Sequence, residues 1–241
     1  MDFFLHYGAR AGEILDVGAG TGRIAIPLAE EGVYVVCIEP SPAMRRQFED
    51  KLERRPHLRQ RIRLVPGEAT AFRLPHKSPA AFLSGTFDHF VDREERLASL
   101  RNVVRHLEPG GTLVFDVFLG MMESSPLSPA GYVSNGEWEY WRLVGRQAME
   151  GERVRVRLVF EIYRNGELVE RIEEESIVGI TDRDEIHRLL GQVNCSVRRE
   201  FADYDRTPYG SGGDLLIVEA ECRPVIGADG RRGAASNGRR K

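Results

Sequence analysis

The chain has 241 residues, of which 41% are hydrophobic and 29% charged, a composition typical of a soluble globular protein with room for a full core. Its formal net charge is −3, but residues 223–241 hold six basic side chains and one acidic one, so the preceding part carries −8. An acidic body argues against nucleic acid as the main substrate. No apolar segment approaches the roughly 18 residues that a membrane span requires.

The cysteines and the first residues bear on the compartment. Cys37, Cys195 and Cys222 have no metal-ligand or redox-motif spacing, and Cys37 lies in an apolar run typical of a buried core thiol. Residues 1–8 begin with an acid and contain only a short apolar run, so they are not expected to be a secretory signal. These features favour a protein of the reducing cytoplasm.

Strand and helix patterns alternate over the first half of the chain. Buried strands are predicted at residues 14–17, 33–38, 62–65, 80–83 and 112–118. Between them, Ser41-Pro42 begins one helix with proline at the first helical position, and Asp92 with Glu95 forms the capping box of another. This alternation predicts a parallel, doubly wound α/β sheet.

The pattern changes to an antiparallel meander in the second half. Residues 119–131 are rich in Ser, Pro and Gly and are predicted to be a loop; the strands that follow are predicted at 136–144, 153–163 and 168–180. Asn165-Gly166 favours a type I′ hairpin turn. Pairing through this turn sets Arg157 opposite Glu174, but it also sets Val156 opposite Glu175 and Leu158 opposite Glu173, a mismatch without a physical explanation unless a bulge shifts the register.

A helix and two strands are expected after the meander. Thr181 or Asp182 caps the helix, and the two late strands are predicted at 196–201 and 215–220. After Arg223 the chain is Gly, Ala, Arg and Asn without periodicity, which predicts a disordered tail.

The strongest motif lies at residues 13–23, Glu-Ile-Leu-Asp-Val-Gly-Ala-Gly-Thr-Gly-Arg. A buried strand runs into a turn where alternating glycines permit close approach to a ligand: Gly18, Gly20 and Gly22. A dinucleotide fingerprint requires glycine where Arg23 stands. Asp16 is also unsuited to a pyrophosphate, whereas its carboxylate suits a ligand that carries an ammonium or a sulfonium.

Residues 16–22, Asp-Val-Gly-Ala-Gly-Thr-Gly, resemble the first motif of class I S-adenosylmethionine-dependent methyltransferases. Gly67-Glu-Ala69 followed by Leu74-Pro75 is similar to the family's adenine-contacting loop, and residues 107–114 are similar to its helix-to-fifth-strand junction. The resemblance implies a Rossmann-like, doubly wound seven-stranded sheet whose last strand is antiparallel. It also implies that the meander is a lid over the methyl acceptor.

The domains expected from this resemblance follow the change of pattern: a cofactor-binding core at 1–120, an antiparallel lid at 121–180, the C-terminal part of the core sheet at 181–222 and a disordered basic tail at 223–241. Two departures stand out. Only Met1–Arg10 precede the glycine motif, where the family usually has a longer helical cap, and His76–Pro79 stand where the fourth strand often begins with Asp.

The predicted cofactor site gathers residues from several strand ends. Glu39 can accept hydrogen bonds from both ribose hydroxyls, unless it is an exposed strand-end acid. Pro40 and Met44 would flank the adenine, and Glu68 beside Ala69 would accept its exocyclic amine, unless it is a plain surface glutamate. The remaining predicted cofactor residues are Asp16, Gly18, Ala19, Gly20, Thr21, Gly22, Arg23 and Leu83.

The acceptor side follows from the chemistry of the sulfonium methyl group, which is already a strong electrophile. The protein must align an acceptor lone pair about 3 Å away and exclude water, and a base is needed only if the acceptor arrives protonated. His89 is the candidate base, unless it only orients its loop. Trp138, Tyr140, Tyr204 and Tyr209 are predicted to line the acceptor pocket; the alternatives are packing in the lid and a hydrogen-bonded turn.

The leading hypothesis is a methyltransferase that transfers a methyl group to nitrogen or oxygen of a small molecule by in-line displacement. It expects no metal, no nucleic acid and no membrane partner, and it allows a homodimer through the meander. A non-catalytic S-adenosylmethionine-binding or scaffold protein is the first alternative, motivated by the short N-terminal segment. An NAD-dependent oxidoreductase is the second; Glu39 allows it and Arg23 counts against it.

Overall fold

The computed structural model describes residues 1–120, 123–210 and 213–223. The helices are α1 (Asp2–Ala11), α2 (Ala25–Glu30), α3 (Pro42–Glu53), α4 (Arg93–Arg105) and α5 (Arg183–Gln192). The strands are β1 (Glu13–Val17), β2 (Tyr34–Glu39), β3 (Ile62–Pro66), β4 (Ser78–Leu83), β5 (Leu107–Phe118), β6 (Ser125–Asn135), β7 (Trp138–Met149), β8 (Arg153–Arg164), β9 (Glu167–Gly179), β10 (Cys195–Phe201) and β11 (Leu215–Cys222). Short 3-10 helices lie at Pro56–Gln60 and Phe87–His89.

Seven strands form the core sheet in the order β10-β11-β5-β4-β1-β2-β3. Strands β1 to β5 run parallel, and β11 is antiparallel to both of its neighbours, β5 and β10. The predicted fold class is confirmed, including the antiparallel last strand. The chain leaves β1 toward β2 on one side and returns to β4 on the other, so a crevice forms beyond the carboxyl ends of these strands.

Local signals in the sequence explain where the helices begin. The Ser41 hydroxyl accepts a hydrogen bond from the Met44 amide at 3.3 Å at the start of α3. At the start of α4 the Asp92 carboxylate accepts from the Glu95 amide at 2.8 Å, while the Glu95 side chain accepts from the Val91 amide at 3.0 Å. The predicted caps are therefore present, although the Glu95 side chain reaches one residue further back than a standard box requires.

The second sheet is antiparallel, in the order β6-β7-β8-β9. Asn165 and Gly166 both have positive φ, 51° and 82°, as a type I′ hairpin requires. Arg157 lies opposite Glu175, so the predicted pairing with Glu174 is wrong by one position. The register shifts next to the hairpin, between Ile162 and Tyr163, so the predicted bulge is present, but Leu158 still lies opposite Glu174 and Val159 opposite Glu173.

The predicted loop at residues 119–131 is wrong over its second half, because β6 begins at Ser125. Pro126 and Pro129 made a strand unexpected here, because proline has no backbone N–H to donate to a neighbouring strand. The outer position of β6 in the sheet accommodates them, with register shifts beside both prolines. Within the described part of the chain, no helix is long and apolar enough to cross a membrane.

The cysteines divide into one free thiol and one pair. Cys37 is free and fully buried, as predicted. Cys195 and Cys222 form a disulfide across β10 and β11, a pairing that their spacing of 27 residues does not reveal. The antiparallel register causes it, because these residues lie directly opposite each other. The tail predicted to be disordered lies, from residue 224, outside the described residues.

Candidate functional site

A cavity of about 430 Å³ opens at the carboxyl ends of β1, β2 and β4. The predicted site residues that line it are Gly18, Gly20, Glu39, Pro40, Met44, Glu68, Ala69 and His89. A larger groove of about 720 Å³ lies between α3 and β3 and contains none of the glycine turn. The crevice that the topology creates is thus the cavity where the sequence motifs converge.

The glycine turn, residues 18–22, combines left-handed backbone with close packing. Gly18, Gly20 and Gly22 have φ of 77°, 57° and 81°. A Cβ at Gly18 would stand 2.2 Å from the Thr86 hydroxyl oxygen, and one at Gly22 would stand 2.4 Å from the Phe48 ring. At Gly20 no atom lies within 4 Å of that position, so this backbone faces open space where a ligand can approach.

The end of β2 holds the first half of this turn. The Ile38 carbonyl oxygen accepts from the amides of Gly18 at 2.8 Å and Ala19 at 3.1 Å. The Glu39 carboxylate accepts from the Gly20 amide at 2.7 Å through Oε2 and from the Ser41 amide at 2.8 Å through Oε1. Glu39 is only 5% exposed, which excludes the interpretation as a solvated strand-end acid. Each of its oxygens keeps a further lone pair for a ligand hydroxyl.

Asp16 is a buried carboxylate with an unsatisfied oxygen. It is 2% exposed, and its Oδ2 atom has no hydrogen-bond partner among the described residues. Burial raises the pKa of Asp16 to about 7; the Arg23 guanidinium acts to lower it and the Glu39 carboxylate to raise it. A buried acceptor without a partner is costly, so this position suits a ligand that brings a positive charge or a donor.

Six of the predicted cofactor residues do not line the cavity: Asp16, buried in β1, and the five that follow. Ala19 is buried, Gly22 packs against Phe48, and Leu83 is fully buried in the core. The Thr21 hydroxyl and carbonyl both accept from the Lys51 ammonium on α3. Arg23 reaches the Ser84 hydroxyl at 3.4 Å, a long contact.

His89 is exposed at the rim of the cavity, at the end of the short helix Phe87–His89. Its neighbour Asp88 was not singled out from the sequence. Burial raises the pKa of Asp88 to about 7, with the Asp116 charge acting in the same direction; a long hydrogen bond of 3.3 Å from the Phe118 amide opposes them. The Asp88 carboxyl, next to the cavity-lining His89, can therefore exchange a proton near neutral pH.

Asp116, near the end of β5, forms hydrogen bonds with the residues that follow β4 and with Tyr204, which follows β10. It is 6% exposed and accepts from the Gly85 amide at 2.6 Å, from the Ser84 hydroxyl at 3.1 Å and from the Tyr204 hydroxyl. Burial raises the pKa of Tyr204, so the phenol stays protonated and donates. Asp116 and Ser84 were missed from the sequence. The available signal was an acid inside a buried strand, the same feature that drew attention to Asp16.

The aromatic residues proposed for the acceptor do not meet at the cavity. Tyr140 lines a separate apolar hollow of about 450 Å³ on the second sheet. The Trp138 ring lies under the Arg164 guanidinium at 5.2 Å. The Tyr209 hydroxyl donates to the Gly213 carbonyl at 3.1 Å. Of the four, Tyr204 lies nearest to the site, since it shares Asp116 with the cavity-lining Gly85.

A buried arginine links the second sheet to the cavity. Arg96 on α4 is 3% exposed and donates from Nε to the Phe90 carbonyl at 3.0 Å and from a terminal nitrogen to the Ile180 carbonyl at 3.0 Å. Phe90 lines the cavity, and Ile180 directly follows β9. The base of the predicted lid is therefore held against the loop that carries His89.

Comparison with known proteins agrees with this geometry. Residues 14–111 match the family model described as a methyltransferase domain. The cypemycin N-terminal methyltransferase of a Streptomyces species is 34% identical over 104 residues, which make up 43% of this chain and 40% of that protein. Three curated relatives match over 40%, 45% and 54% of their own lengths, so the chain spans about half the length of the curated relatives it matches.

Solved structures resemble the chain over almost its whole length. The CcbJ methyltransferase from Streptomyces caelestis has a TM-score of 0.75 at 18% identity, covering 92% of this chain and 90% of that chain. CalS10, an amino pentose methyltransferase from Micromonospora echinaspora solved with S-adenosylmethionine bound, has a TM-score of 0.69 at 19% identity, covering 92% and 87%. The resemblance stated from the sequence is confirmed: residues 14–111 match a methyltransferase domain, and the chain has the same fold as these S-adenosylmethionine-dependent methyltransferases.

Proposed function

We propose that this protein is an S-adenosylmethionine-dependent methyltransferase that methylates nitrogen or oxygen of a small molecule. The observation that carries the proposal is the Glu39 carboxylate, buried and held by two backbone amides at the edge of an open glycine turn. Such an acceptor is prepared for ribose hydroxyls without further rearrangement. The match of residues 14–111 to a methyltransferase domain supports the same reaction.

The residues present fit this cofactor. The orphan Oδ2 atom of Asp16 calls for a donor or a positive charge, and Gly20 leaves the backbone accessible. Glu39 would hold the ribose, with Pro40 and Met44 beside the adenine and Glu68 near its amine; all four line the cavity. Glu68 is exposed, so its alternative role as a plain surface residue stays open.

The charge of the cavity favours a cationic ligand over an anionic one. Glu39, Glu68 and Glu95 line it, and no lysine or arginine does so among the residues described. A cleft lined by one sign of charge concentrates ligands of the opposite sign. We therefore infer that the acceptor is neutral or cationic, such as an amine or an alcohol, rather than a carboxylate or a phosphate.

The cofactor, when bound, supplies an electrophilic methyl group on a sulfonium. The side chains of this protein then have to orient an acceptor lone pair and keep water away from it. Phe90 contributes an apolar wall, and Arg96 fixes its loop against the second sheet. An acceptor that arrives as an ammonium must lose a proton; His89 and Asp88 are the candidates to receive it.

Isothermal titration calorimetry with S-adenosylmethionine and S-adenosylhomocysteine tests the binding half of the proposal. Transfer of a labelled methyl group to a panel of small amines and alcohols tests the chemistry. Binding with release of S-adenosylhomocysteine supports the enzyme. Binding without any release favours the non-catalytic alternative, and NADH fluorescence enhancement without S-adenosylmethionine binding would favour the oxidoreductase. The homodimer contact stays a prediction. The cytoplasmic location also stays a prediction, but the Cys195–Cys222 disulfide counts against the reduced cysteines on which it was partly based.

A further inference from the structure

The glycine turn needs support on both sides. Its three glycines allow many backbone conformations besides the one that the turn adopts. The first half is held by β2, through the Ile38 carbonyl and the Glu39 carboxylate, which accept from the amides of residues 18 to 20. Without further contacts the second half would be free to vary, since glycine loses more conformational entropy on ordering than any other residue.

Helix α3 supplies the second support. Lys51, in its last turn, donates from Nζ to the Thr21 hydroxyl at 2.7 Å and to the Thr21 carbonyl at 3.0 Å. Phe48 is three residues earlier on the same face of the helix, and it fills the space beside Gly22. The two side chains fix the turn immediately after Gly20, the position that is open to a ligand.

We propose that Lys51 is a positioning residue for the cofactor, acting through Thr21 to hold the glycine turn in its binding conformation. This inference rests on the proposed function, since the ligand is S-adenosylmethionine. Lys51 does not line the cavity, so it affects binding without touching the ligand. The role assigned to Thr21 changes as well. The sequence predicted a cofactor contact, but the Thr21 hydroxyl and carbonyl bond Lys51, so we assign Thr21 to the support of the turn.

The energetic consequence falls on binding. Without the lysine, Thr21 loses both hydrogen bonds, and the ligand itself has to order the turn. Hydrogen bonds to a charged donor are worth about 1.5 kcal/mol or more, which corresponds to roughly tenfold in affinity. The loss of affinity should appear at temperatures where the protein remains fully folded, because the turn and not the core is affected.

The experiment is calorimetric titration of the full chain with S-adenosylhomocysteine at a temperature where circular dichroism shows every variant folded. Lys51→Met is expected to bind roughly tenfold more weakly. Lys77→Met is the matched control, because Lys77 is an exposed lysine before β4, and its affinity is expected to be unchanged. Lys51→Arg keeps a cationic donor and should recover part of the affinity.

Thr21→Val adds a second route to the same conclusion, also in case Lys51→Met does not fold. It removes one of the two acceptors and should weaken binding about threefold. The double variant should bind no more weakly than Lys51→Met; additive losses would mean that Thr21 acts on the ligand independently, and would overturn the proposal. If Lys51→Met and Lys77→Met bind equally, only the role of Lys51 is lost. If the unaltered protein does not bind, the proposed function fails with it.

Discussion

Glu39 accepts a hydrogen bond from the Gly20 amide at 2.7 Å, which ties the end of β2 to the turn after β1. The two residues are 19 positions apart, and they meet because β1 and β2 are parallel neighbours whose carboxyl ends lie at the same edge of the sheet. One carboxylate thereby has two tasks. It shapes the glycine turn, and it keeps lone pairs available for the ribose in the proposed complex.

Glu39→Ala is therefore expected to reduce S-adenosylmethionine affinity by more than tenfold, since it removes both the proposed ribose acceptor and the partner of the Gly20 amide. Glu39→Gln keeps one acceptor oxygen and should lose less. Calorimetric titration measures both. Glu53→Ala, an exposed glutamate at the end of α3, is the control and should bind normally. Equal affinities for Glu39→Ala and Glu53→Ala would contradict the assignment.

Alanine substitutions in the glycine turn should separate folding from binding. Gly20→Ala meets no atom within 4 Å, so it should cost only the 1–2 kcal/mol or so of a left-handed alanine while its methyl group obstructs the cavity. Gly18→Ala adds a clash with Thr86 at 2.2 Å and should unfold at markedly lower denaturant concentration. Urea unfolding and cofactor titration are compared for both. A Gly20→Ala variant that binds normally would show that the ligand does not approach this backbone.

Asp16 predicts a pH dependence of stability. Its pKa is about 7 in the folded protein, against about 3.9 in an unfolded chain, so the folded state binds more protons between these values. The free energy of unfolding should therefore fall as pH rises from about 4 to 7, by up to about 4 kcal/mol. Asp16→Asn removes this contribution, so its urea midpoint should decline less between pH 5 and pH 8.

Asp88 should also lower the free energy of unfolding as pH rises, because burial raises its pKa to about 7 as well. The comparison is therefore between the unaltered protein and Asp16→Asn, each measured at both pH values, so that the Asp88 contribution cancels. Identical pH dependence in the two proteins would show that Asp16 does not carry the titration.

Much of the core fold could be predicted because its signals are local. The helix caps at Ser41 and Asp92 and the alternation of buried strands are readable over a few residues, and they lead to the observed sheet. Strand β6 was missed for the converse reason: Pro126 and Pro129 oppose a strand locally, and only the edge position of β6 in the sheet makes them tolerable.

The rest of the site depends on pairs that are distant in sequence. Asp16 and Glu39 lie in the last two residues of β1 and β2, strands that the sequence predicts. By contrast, Asp116 bonds Tyr204, 88 residues away, and Lys51 bonds Thr21, 30 residues away. No spacing rule predicts such partners, because they are set by how helices and loops pack onto the sheet. The disulfide between Cys195 and Cys222 could not be predicted for the same reason, since only the β10–β11 register brings the two residues together.

The disulfide between Cys195 and Cys222 predicts a measurable stabilisation. In the chain-entropy model, closing a loop across 27 residues stabilises the folded state by about 3.5 kcal/mol. Reduction, or the Cys195→Ser/Cys222→Ser double variant, should lower the urea midpoint accordingly. Alkylation of the unfolded, unreduced protein should label Cys37 alone. Three labelled thiols in that sample would show that the bond does not form.

The Asp116–Tyr204 contact predicts an energetic coupling that a surface hydrogen bond would not show. Tyr204→Phe leaves the buried carboxylate with one donor fewer, and Asp116→Asn weakens the same contact, so each should destabilise the protein by about 1–3 kcal/mol. The double variant should lose less than both single losses added together, because the second change has no intact contact left to break. Tyr209→Phe is the matched control: its hydroxyl bonds an exposed carbonyl, and its loss should stay within about 0.5 kcal/mol. Strictly additive losses for the pair in urea unfolding would mean that Tyr204 is held by the rings of α1 rather than by Asp116.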